Sequence, residues 1–210
     1  MNDLQFSVVG ANATPYAAAP TITFDVRITD PSDTPVHAIA LRCLIKIEPQ
    51  RRRYEGTEEA RLVELFGETP RWMDTLRPFT WAQVSTMVPA FTGTTDIEVA
   101  VPCTYDLDVA AAKYLHGVEQ GEIPVVLLFS GSVFTRNGGG FEFVPVAWQG
   151  EASYRLPVDV WRTMMDQYFP GQGWLRLSRD TIDALQQFKA TRALPTWEQA
   201  IETLLKEAGG

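Results

Sequence analysis

Alternating hydrophobic and polar positions run through the first half of the chain and predict a β-rich body. In residues 21–29, isoleucine, phenylalanine and valine occupy every second position, and polar side chains or threonines stand between them. This period of two predicts a strand with one buried and one solvated face. The same period over residues 36–48 predicts a second strand, which places His37, Ile39, Leu41 and Cys43 on its core face. A turn at residues 30–33 separates the two runs, so we expect them to pair as an antiparallel hairpin.

Weaker alternation predicts further strands. These lie at residues 4–9, 82–87, 95–101, 141–148 and 152–156. Residues 124–136 are apolar on both faces for much of their length, which is typical of a central strand covered on both sides. The glycines that follow Asn137 tolerate positive φ and predict a hairpin turn into the strand at 141–148.

Helical patterns interrupt this body and then follow it. Thr57 is a candidate N-cap for a helix that Gly67 closes, and residues 108–118 have the composition of a crossover helix. Further helices are expected after Pro157, from Ser178, and from Pro195, where residues 196–199 fit a capping box.

The predicted fold is therefore α+β. An antiparallel β-sandwich-like body spans residues 1–156, with helical inserts near 57–67 and 108–118. A C-terminal helical segment, residues 157–210, is expected to pack on this body as part of a single cooperative domain. An immunoglobulin-like strand arrangement is compatible with the pattern.

Charge changes the picture by excluding classes of partner. The 210 residues carry a formal net charge of −8, and the isoelectric point is about 4.8. An acidic chain repels phosphate backbones and anionic lipids, so no nucleic-acid partner is expected. The sequence has no apolar run of membrane-spanning length and no secretory leader pattern, so we expect a cytoplasmic protein without direct membrane insertion.

Cysteine and histidine are too sparse to predict a metal or cofactor site. The chain has two cysteines, Cys43 and Cys103, and two histidines, His37 and His116. Neither pair has metal-ligand spacing, and we expect both thiols to be reduced. Cys43, on a core face, is expected to be inert, whereas Cys103 follows Pro102 at a strand end and is expected to be more accessible.

Three other patterns leave chemistry open without assigning a catalytic residue. Asp106 and Asp108 could hold a divalent cation, or simply begin a helix. Ser130 lies in a Phe-Ser-Gly-Ser run that lacks the first glycine of a nucleophile elbow. An enzyme with a non-local site would draw on Cys103, Asp106 and His116.

A surplus of aromatic and arginine side chains provides the candidate binding residues. The aromatic residues are either core or the rim of a partner groove, since aromatic and arginine side chains are frequent anchors at protein interfaces. Residues 51–54 could alternatively fix an anion in a small-ligand-binding module. The candidates are Arg51, Arg52, Arg53, Tyr54, Trp72, Arg77 and Trp81. We expect a non-catalytic interaction protein, with the ligand-binding module and the enzyme as alternatives and the oligomeric state open.

Several segments also resemble a protein family. They are EPQRRRY (residues 48–54), VSTMVP (84–89), VPCTYD (101–106), LFSG (128–131), WRTMMD (161–166) and YFP (168–170). Together they resemble an uncharacterised, mainly actinobacterial family whose members are often encoded near nickel–iron hydrogenase genes. The resemblance implies a cytosolic accessory role in hydrogenase assembly or maturation, with a hydrogenase subunit or a maturation factor as the partner. It supplies no catalytic residues.

Overall fold

The computed structural model describes residues 4–32, 34–103, 109–137, 140–146, 150–171 and 177–209. Within these ranges the chain has the predicted α+β fold, with eight strands and six α-helices. The strands are β1 (Gln5–Ala13), β2 (Thr21–Thr29), β3 (Val36–Ile47), β4 (Phe79–Val88), β5 (Thr94–Pro102), β6 (Glu122–Asn137), β7 (Gly140–Pro145) and β8 (Glu151–Pro157). The helices are α1 (Thr57–Phe66), α2 (Trp72–Thr75), α3 (Val109–Gly117), α4 (Val158–Tyr168), α5 (Arg179–Thr191) and α6 (Trp197–Ala208).

Two antiparallel sheets form the sandwich-like body that the sequence predicts. One has the strand order β1-β2-β5, and the other has the order β4-β3-β6-β7, with β8 also paired to β6. The apolar faces of β2, β3 and β6 supply the buried core between them, because burying one face of each sheet removes its apolar side chains from water. The core residues from these strands include Ile22, Phe24, Val26, Ile28, Ile39, Leu41, Ile45, Ile47, Val125, Leu127 and Val133.

The predicted hairpin between β2 and β3 is wrong. Strand β2 pairs with β1 and β5, whereas β3 pairs with β4 and β6 in the other sheet. Both strands turn an apolar face to the same core, but from opposite sides. The alternation of apolar and polar residues therefore identifies which face of a strand is buried, and it does not identify the strand with which it pairs. His37 is also exposed rather than in the core, because a register shift between Val36 and Ala38 turns Val36 inward in its place.

Strand β6 is the central strand of the five-stranded sheet. Residues 125–135 pair with β3 on one edge, while the other edge pairs first with β8 and then with β7. The predicted hairpin is confirmed by the pairing of Asn137 with Gly140; the turn residues 138–139 lie outside the described ranges. The second face of β6 is less covered than predicted, since Val126, Leu128 and Phe134 are only half-buried.

Helices α1 and α3 pack closely together beside this sheet. A Cβ placed on Gly117 of α3 would come within 2.7 Å of the Leu62 Cδ2 in α1, so the absence of a side chain permits the contact. Gly67 ends α1 as predicted, with φ of 76°, but the N-cap position is Gly56 and Thr57 is the first helical residue. Helix α4 packs against β1 and β2.

The chain divides into two compact units, residues 1–170 and 171–210. The first contains both sheets and helices α1 to α4, and the second contains α5 and α6. The predicted caps of the last two helices are confirmed, because the side chains of Ser178 and Thr196 accept bonds from the N–H groups of Thr181 and Gln199. That the chain forms a single cooperative domain stays a prediction. No helix in the described ranges is both long enough and apolar enough to cross a bilayer.

We expect Gly131→Ala to lower the free energy of unfolding by about 3 kcal/mol. Gly131 has a φ of +147°, and a Cβ there would lie 2.0 Å from the backbone oxygen of Ala40. Gly140→Ala is the matched control, since a Cβ at Gly140 meets no atom within 4 Å. Urea denaturation followed by far-ultraviolet circular dichroism measures both. Equal stability of the two variants would contradict this account of the β3–β6 contact.

Candidate functional site

Arg52 is a buried structural residue, although it stands in a run of three arginines. Its side chain is 9% exposed, and its Nη2 donates to the Oε1 of Glu58 at 2.7 Å and to the backbone oxygen of Gln120. The same carboxylate oxygen accepts the N–H of Glu119 at 2.6 Å. Glu58 is itself buried in the first turn of α1. This ion pair therefore ties the start of α1 to the segment that follows α3.

Tyr54 extends this cluster inward. Its hydroxyl donates to the backbone oxygen of Pro49 at 2.9 Å, so the Tyr114 hydroxyl, 2.7 Å away, donates to the Tyr54 oxygen. Burial raises the pKa of the Tyr54 hydroxyl, and the neighbouring Tyr114 raises it further. The Arg52 guanidinium carbon lies 5.2 Å from the centre of the Tyr54 ring. Tyr54 is thus fully engaged within the fold.

Both tryptophans that the sequence suggested as binding residues lie in the core. The Trp72 indole N–H donates to the oxygen of Gly67 at 2.7 Å, and its ring meets Tyr54 edge-on. Trp81 packs edge-on against Phe24, and its indole nitrogen is buried without a hydrogen-bond partner in the described ranges. The core interpretation that the sequence left open is therefore the one the structure shows for both rings.

The remaining predicted arginines are exposed. Arg77 donates to the backbone oxygen of Asp74 at 3.0 Å, and Arg53 lies at the surface. Arg51 lines a pocket of about 530 Å³ and pairs with Glu48 at 3.1 Å. The structure thus brings Arg52, Tyr54 and Trp72 together in one cluster, while Arg51 and Arg53 point elsewhere.

The pocket beside Arg51 is balanced in charge. Arg155 also lines it, with its Nη1 4.0 Å from the Oε2 of Glu122. Each arginine therefore has a carboxylate beside it, and the two pairs leave little net field for an anion.

Neither thiol is available for chemistry. Burial raises the pKa of Cys43 and of Cys103 to about 12. The expectation that Cys103 is more accessible is wrong: the residue is 3% exposed and its S–H donates to the Val101 oxygen. The N–H of Cys103 donates to the Pro20 oxygen, so bonding to the β2 side continues past the end of β5, where the sequence suggested an open strand end.

The other residues of the enzyme alternative are His116 and Asp106. His116 packs edge-on against Trp161, and burial lowers its pKa. Asp106 and Asp108 lie outside the described ranges. Within them, no group of three or more histidine, cysteine, aspartate or glutamate side chains is placed to hold a metal ion.

The outer face of the five-stranded sheet carries a surface that sequence reasoning missed. We define the outer face by the β3 residues Ala38, Ala40, Arg42, Leu44 and Lys46 together with their cross-strand neighbours. Phe134 pairs with Ala38 and Phe143 pairs with Phe134, which makes one apolar row. The next row contains Met87, Ala40, Ser132 and Pro145. Met87 is 64% exposed and Phe143 is 71% exposed.

Arg42 stands in the row beside these apolar residues. Its direct cross-strand neighbours are Ser85 on β4 and Ser130 on β6. These three residues, with Met87 and Ser132, line a shallow pocket of about 650 Å³. Arg42 is exposed, and no carboxylate of the described residues pairs with it.

The sequence did contain one signal for this surface. The apolar residues at alternate positions of residues 124–136 indicated a strand face that needs cover. On the structure, that face is only half-buried at Leu128 and Phe134. The pattern therefore marked a surface on which apolar side chains stay accessible.

Comparison with known proteins adds a family and no activity. A family model described as a family of unknown function matches residues 1–210. A search of curated proteins finds no match. The fold is similar to a solution structure of a late embryogenesis abundant protein, with 14% identity, a TM-score of 0.34, and coverage of 75% of this chain and 74% of that one.

Two enzymes are more distantly similar. β-Glucosidase 3B from Thermotoga neapolitana has 9% identity and a TM-score of 0.26, over 73% of this chain and 17% of the enzyme. A β-glucosidase from Kluyveromyces marxianus has 8% identity and a TM-score of 0.23, over 73% of this chain and 15% of the enzyme. This chain thus spans less than a fifth of either enzyme, and the TM-scores are too low to indicate a shared function.

We expect Arg52→Met to lower the free energy of unfolding by about 3 kcal/mol, because it leaves the Glu58 carboxylate buried without its cation. Arg51→Met is the matched control, since the Arg51 side chain is 57% exposed and its ion pair is worth less than about 1 kcal/mol. Chemical denaturation compares the two variants. If they lose the same stability, the buried pair does not hold the helical insert.

Both thiols should resist modification in the native protein at pH 8. With pKa values near 12, almost none of either group is thiolate, and burial also blocks access of the reagent. Reaction with 5,5′-dithiobis(2-nitrobenzoate) should be slow for both thiols of the folded chain. In about 6 M guanidinium, which unfolds most domains, both thiols should react rapidly. Fast reaction of one thiol in the native protein would contradict the burial of one of these two cysteines.

Proposed function

We propose that this chain, which belongs to the DUF6084 family of unknown function, is a non-catalytic interaction protein that binds a partner on its outer face. The observation that supports the proposal is the exposure of Met87 and Phe143 on that face, with accessible fractions of 64% and 71%. Large apolar side chains that lie together on a surface are typical of protein interaction sites.

The two rows are adjacent, and apart from Ser132 their residues are apolar. The row of Met87 crosses β4, β3, β6 and β7, and the row of Phe143 lies two residues further along β3, β6 and β7. Neighbouring strands are about 4.8 Å apart, so four strands give a row of roughly 14 Å. A methionine adapts its shape to a partner, and phenylalanine is a frequent anchor at interfaces.

The charge of the outer face favours an acidic partner. Arg155 and Glu122 of this face form an ion pair with each other. Its other described charged residues are three cations and one carboxylate, namely Arg42, Lys46, Arg136 and Glu151. The chain as a whole has a net charge of −8. A locally positive face on an acidic protein attracts acidic segments and disfavours basic ones.

The resemblance noted from the sequence supports a specific partner class. We propose a component of nickel–iron hydrogenase assembly, either a hydrogenase subunit or a maturation factor, and the cytoplasm as the compartment. An accessory role of this kind requires binding and release rather than chemistry, which agrees with a partner site built from exposed side chains on a rigid sheet.

A small-anion-binding module is the second candidate. The pocket of about 650 Å³ around Arg42 favours it, because an unpaired guanidinium beside serine hydroxyls presents several donors to one anion. This candidate needs no partner protein.

We expect Met87→Ser to reduce recovery of hydrogenase subunits or maturation factors about tenfold when the tagged chain is isolated from its host, because a polar side chain interrupts the apolar patch. Met73→Ser is the matched control: Met73 is 93% exposed but lies on α2. Quantitative mass spectrometry of the co-purifying proteins measures the ratio. Equal loss in both variants, or no hydrogenase component with the unmodified chain, would contradict the proposal.

A further inference from the structure

We infer that Arg42 and the serine hydroxyls beside it form a carboxylate-binding site, which receives an acidic side chain of the partner segment. This inference rests on the proposed function, since it names the chemistry by which the outer face recognises its partner. The hydroxyls are those of Ser85, Ser130 and Ser132.

Strand register places these donors together. Ser85, Arg42 and Ser130 are direct cross-strand neighbours on β4, β3 and β6, so their side chains leave the same face of the sheet in one row. Ser132 lies two residues after Ser130 and therefore faces the same way, in the row of Ala40. All of them line the same pocket of about 650 Å³.

The pocket lies over the three adjacent strands β4, β3 and β6, beside the point where β6 changes its other partner. On the edge of β6 away from β3, pairing with β8 ends at Leu128, and pairing with β7 begins at Ser132. Gly131 lies between these two pairings, and its backbone packs closely against the Ala40 oxygen of β3. The serines on either side of this glycine stand on a part of β6 that pairs with β3 over residues 125–135.

The donors match a carboxylate in number and in charge. A guanidinium binds a carboxylate through two parallel N–H bonds, and the remaining lone pairs of the oxygens accept bonds from hydroxyl groups. One cation neutralises one carboxylate, whereas a phosphate dianion would keep an unpaired charge. Lys46, the next cation along β3, is four residues away and about 13 Å distant at the rise of a strand.

The neighbouring apolar rows indicate that the carboxylate belongs to an extended peptide segment. Rows on a strand repeat every two residues, or about 6.8 Å. An extended segment lying along β3 has the same repeat, so an apolar side chain two positions from the acidic one reaches the row of Met87. The site therefore fits an acidic residue with an apolar residue at the second position from it.

Nuclear magnetic resonance titration of the full chain tests this with two short peptides. The acidic probe is acetyl-Leu-Ala-Glu-Ala-Leu-amide, which places leucine two positions from the glutamate in both directions, and the neutral probe has glutamine in place of glutamate. We expect saturable shifts of the amide signals of Arg42, Ser85, Ser130 and Ser132 with the acidic probe. We expect the neutral probe to bind roughly tenfold more weakly.

Arg42→Gln should remove the preference for the acidic probe, and Arg53→Gln is the control that should keep it. Both substitutions remove one exposed cation, so a general charge effect would change with either variant. Equal binding of the two probes to the unmodified chain, or equal loss in both variants, would overturn the inference. If acetate alone binds as tightly as the acidic peptide, and Met87→Ser does not weaken the peptide, the site binds a small carboxylate. That result would overturn the inference that a partner segment occupies it.

The same variants separate this inference from the proposed function. Loss of the hydrogenase component in Met87→Ser but full recovery in Arg42→Gln would leave the proposed function standing and overturn the carboxylate site. The opposite result is that the acidic probe binds selectively at Arg42 while the Met87→Ser variant still recovers the hydrogenase component in full. It would support the carboxylate site and contradict the proposed function. A third outcome is that the chain self-associates, that Met87→Ser abolishes this self-association, and that the acidic probe is not preferred. A second copy of the chain would then occupy the outer face, and both the proposed function and the carboxylate site would be overturned.

Discussion

The close approach of Gly131 to the backbone oxygen of Ala40 is the constraint on which the five-stranded sheet depends. A side chain at this position would collide with the neighbouring strand, so β6 and β3 can keep their register only with glycine there. All remaining pairing in that sheet is built on these two strands, because β4 joins β3 and both β7 and β8 join β6. The same glycine lies where β8 gives way to β7, and it also lines the Arg42 pocket. The register of the sheet, its change of strand partner and the pocket on the outer face thus meet at one backbone contact.

A second, smaller set of interactions fixes the helical insert. The Tyr54–Tyr114 hydroxyl bond joins residues 60 positions apart, and Arg52, besides its pair with the nearby Glu58, donates to the distant Gln120 oxygen. Phe79 of β4 packs against the Tyr114 ring, so the aromatic cluster continues from the helices into the sheet. Such a network is fully effective only when every member is present, because a buried charge or hydroxyl without its partner is costly. The arginine that the sequence suggested as a binding residue is therefore one that the fold itself uses.

How much of this fold can be predicted from the sequence depends on how far apart in sequence the interacting residues lie. Local patterns were sufficient for β2, whose predicted bounds agree with the structure, and for the caps at Ser178 and Thr196. Partner strands could not be predicted in the same way, since β2 and β3 show the same alternation whether they pair or face each other across a core. The three arginines 51–53 are equivalent in sequence, and only the position of Glu58 in three dimensions buries the middle one. The role proposed for Arg42 depends on Ser85 and Ser130, which come from other strands and are brought beside it only by the register of the sheet.

The uneven charge of the molecule has a consequence for how quickly, and in which orientation, a partner arrives. A net-negative protein with a locally positive sheet face has an uneven electric field, which acts over about 8–10 Å in physiological salt. The acidic partner proposed above would be attracted by the outer face and repelled by negative surface before any atom touches. Encounter would then favour orientations that lead to contact, which raises the association rate more than the lifetime of a complex. Even a weakly held partner could then be found quickly, released, and found again.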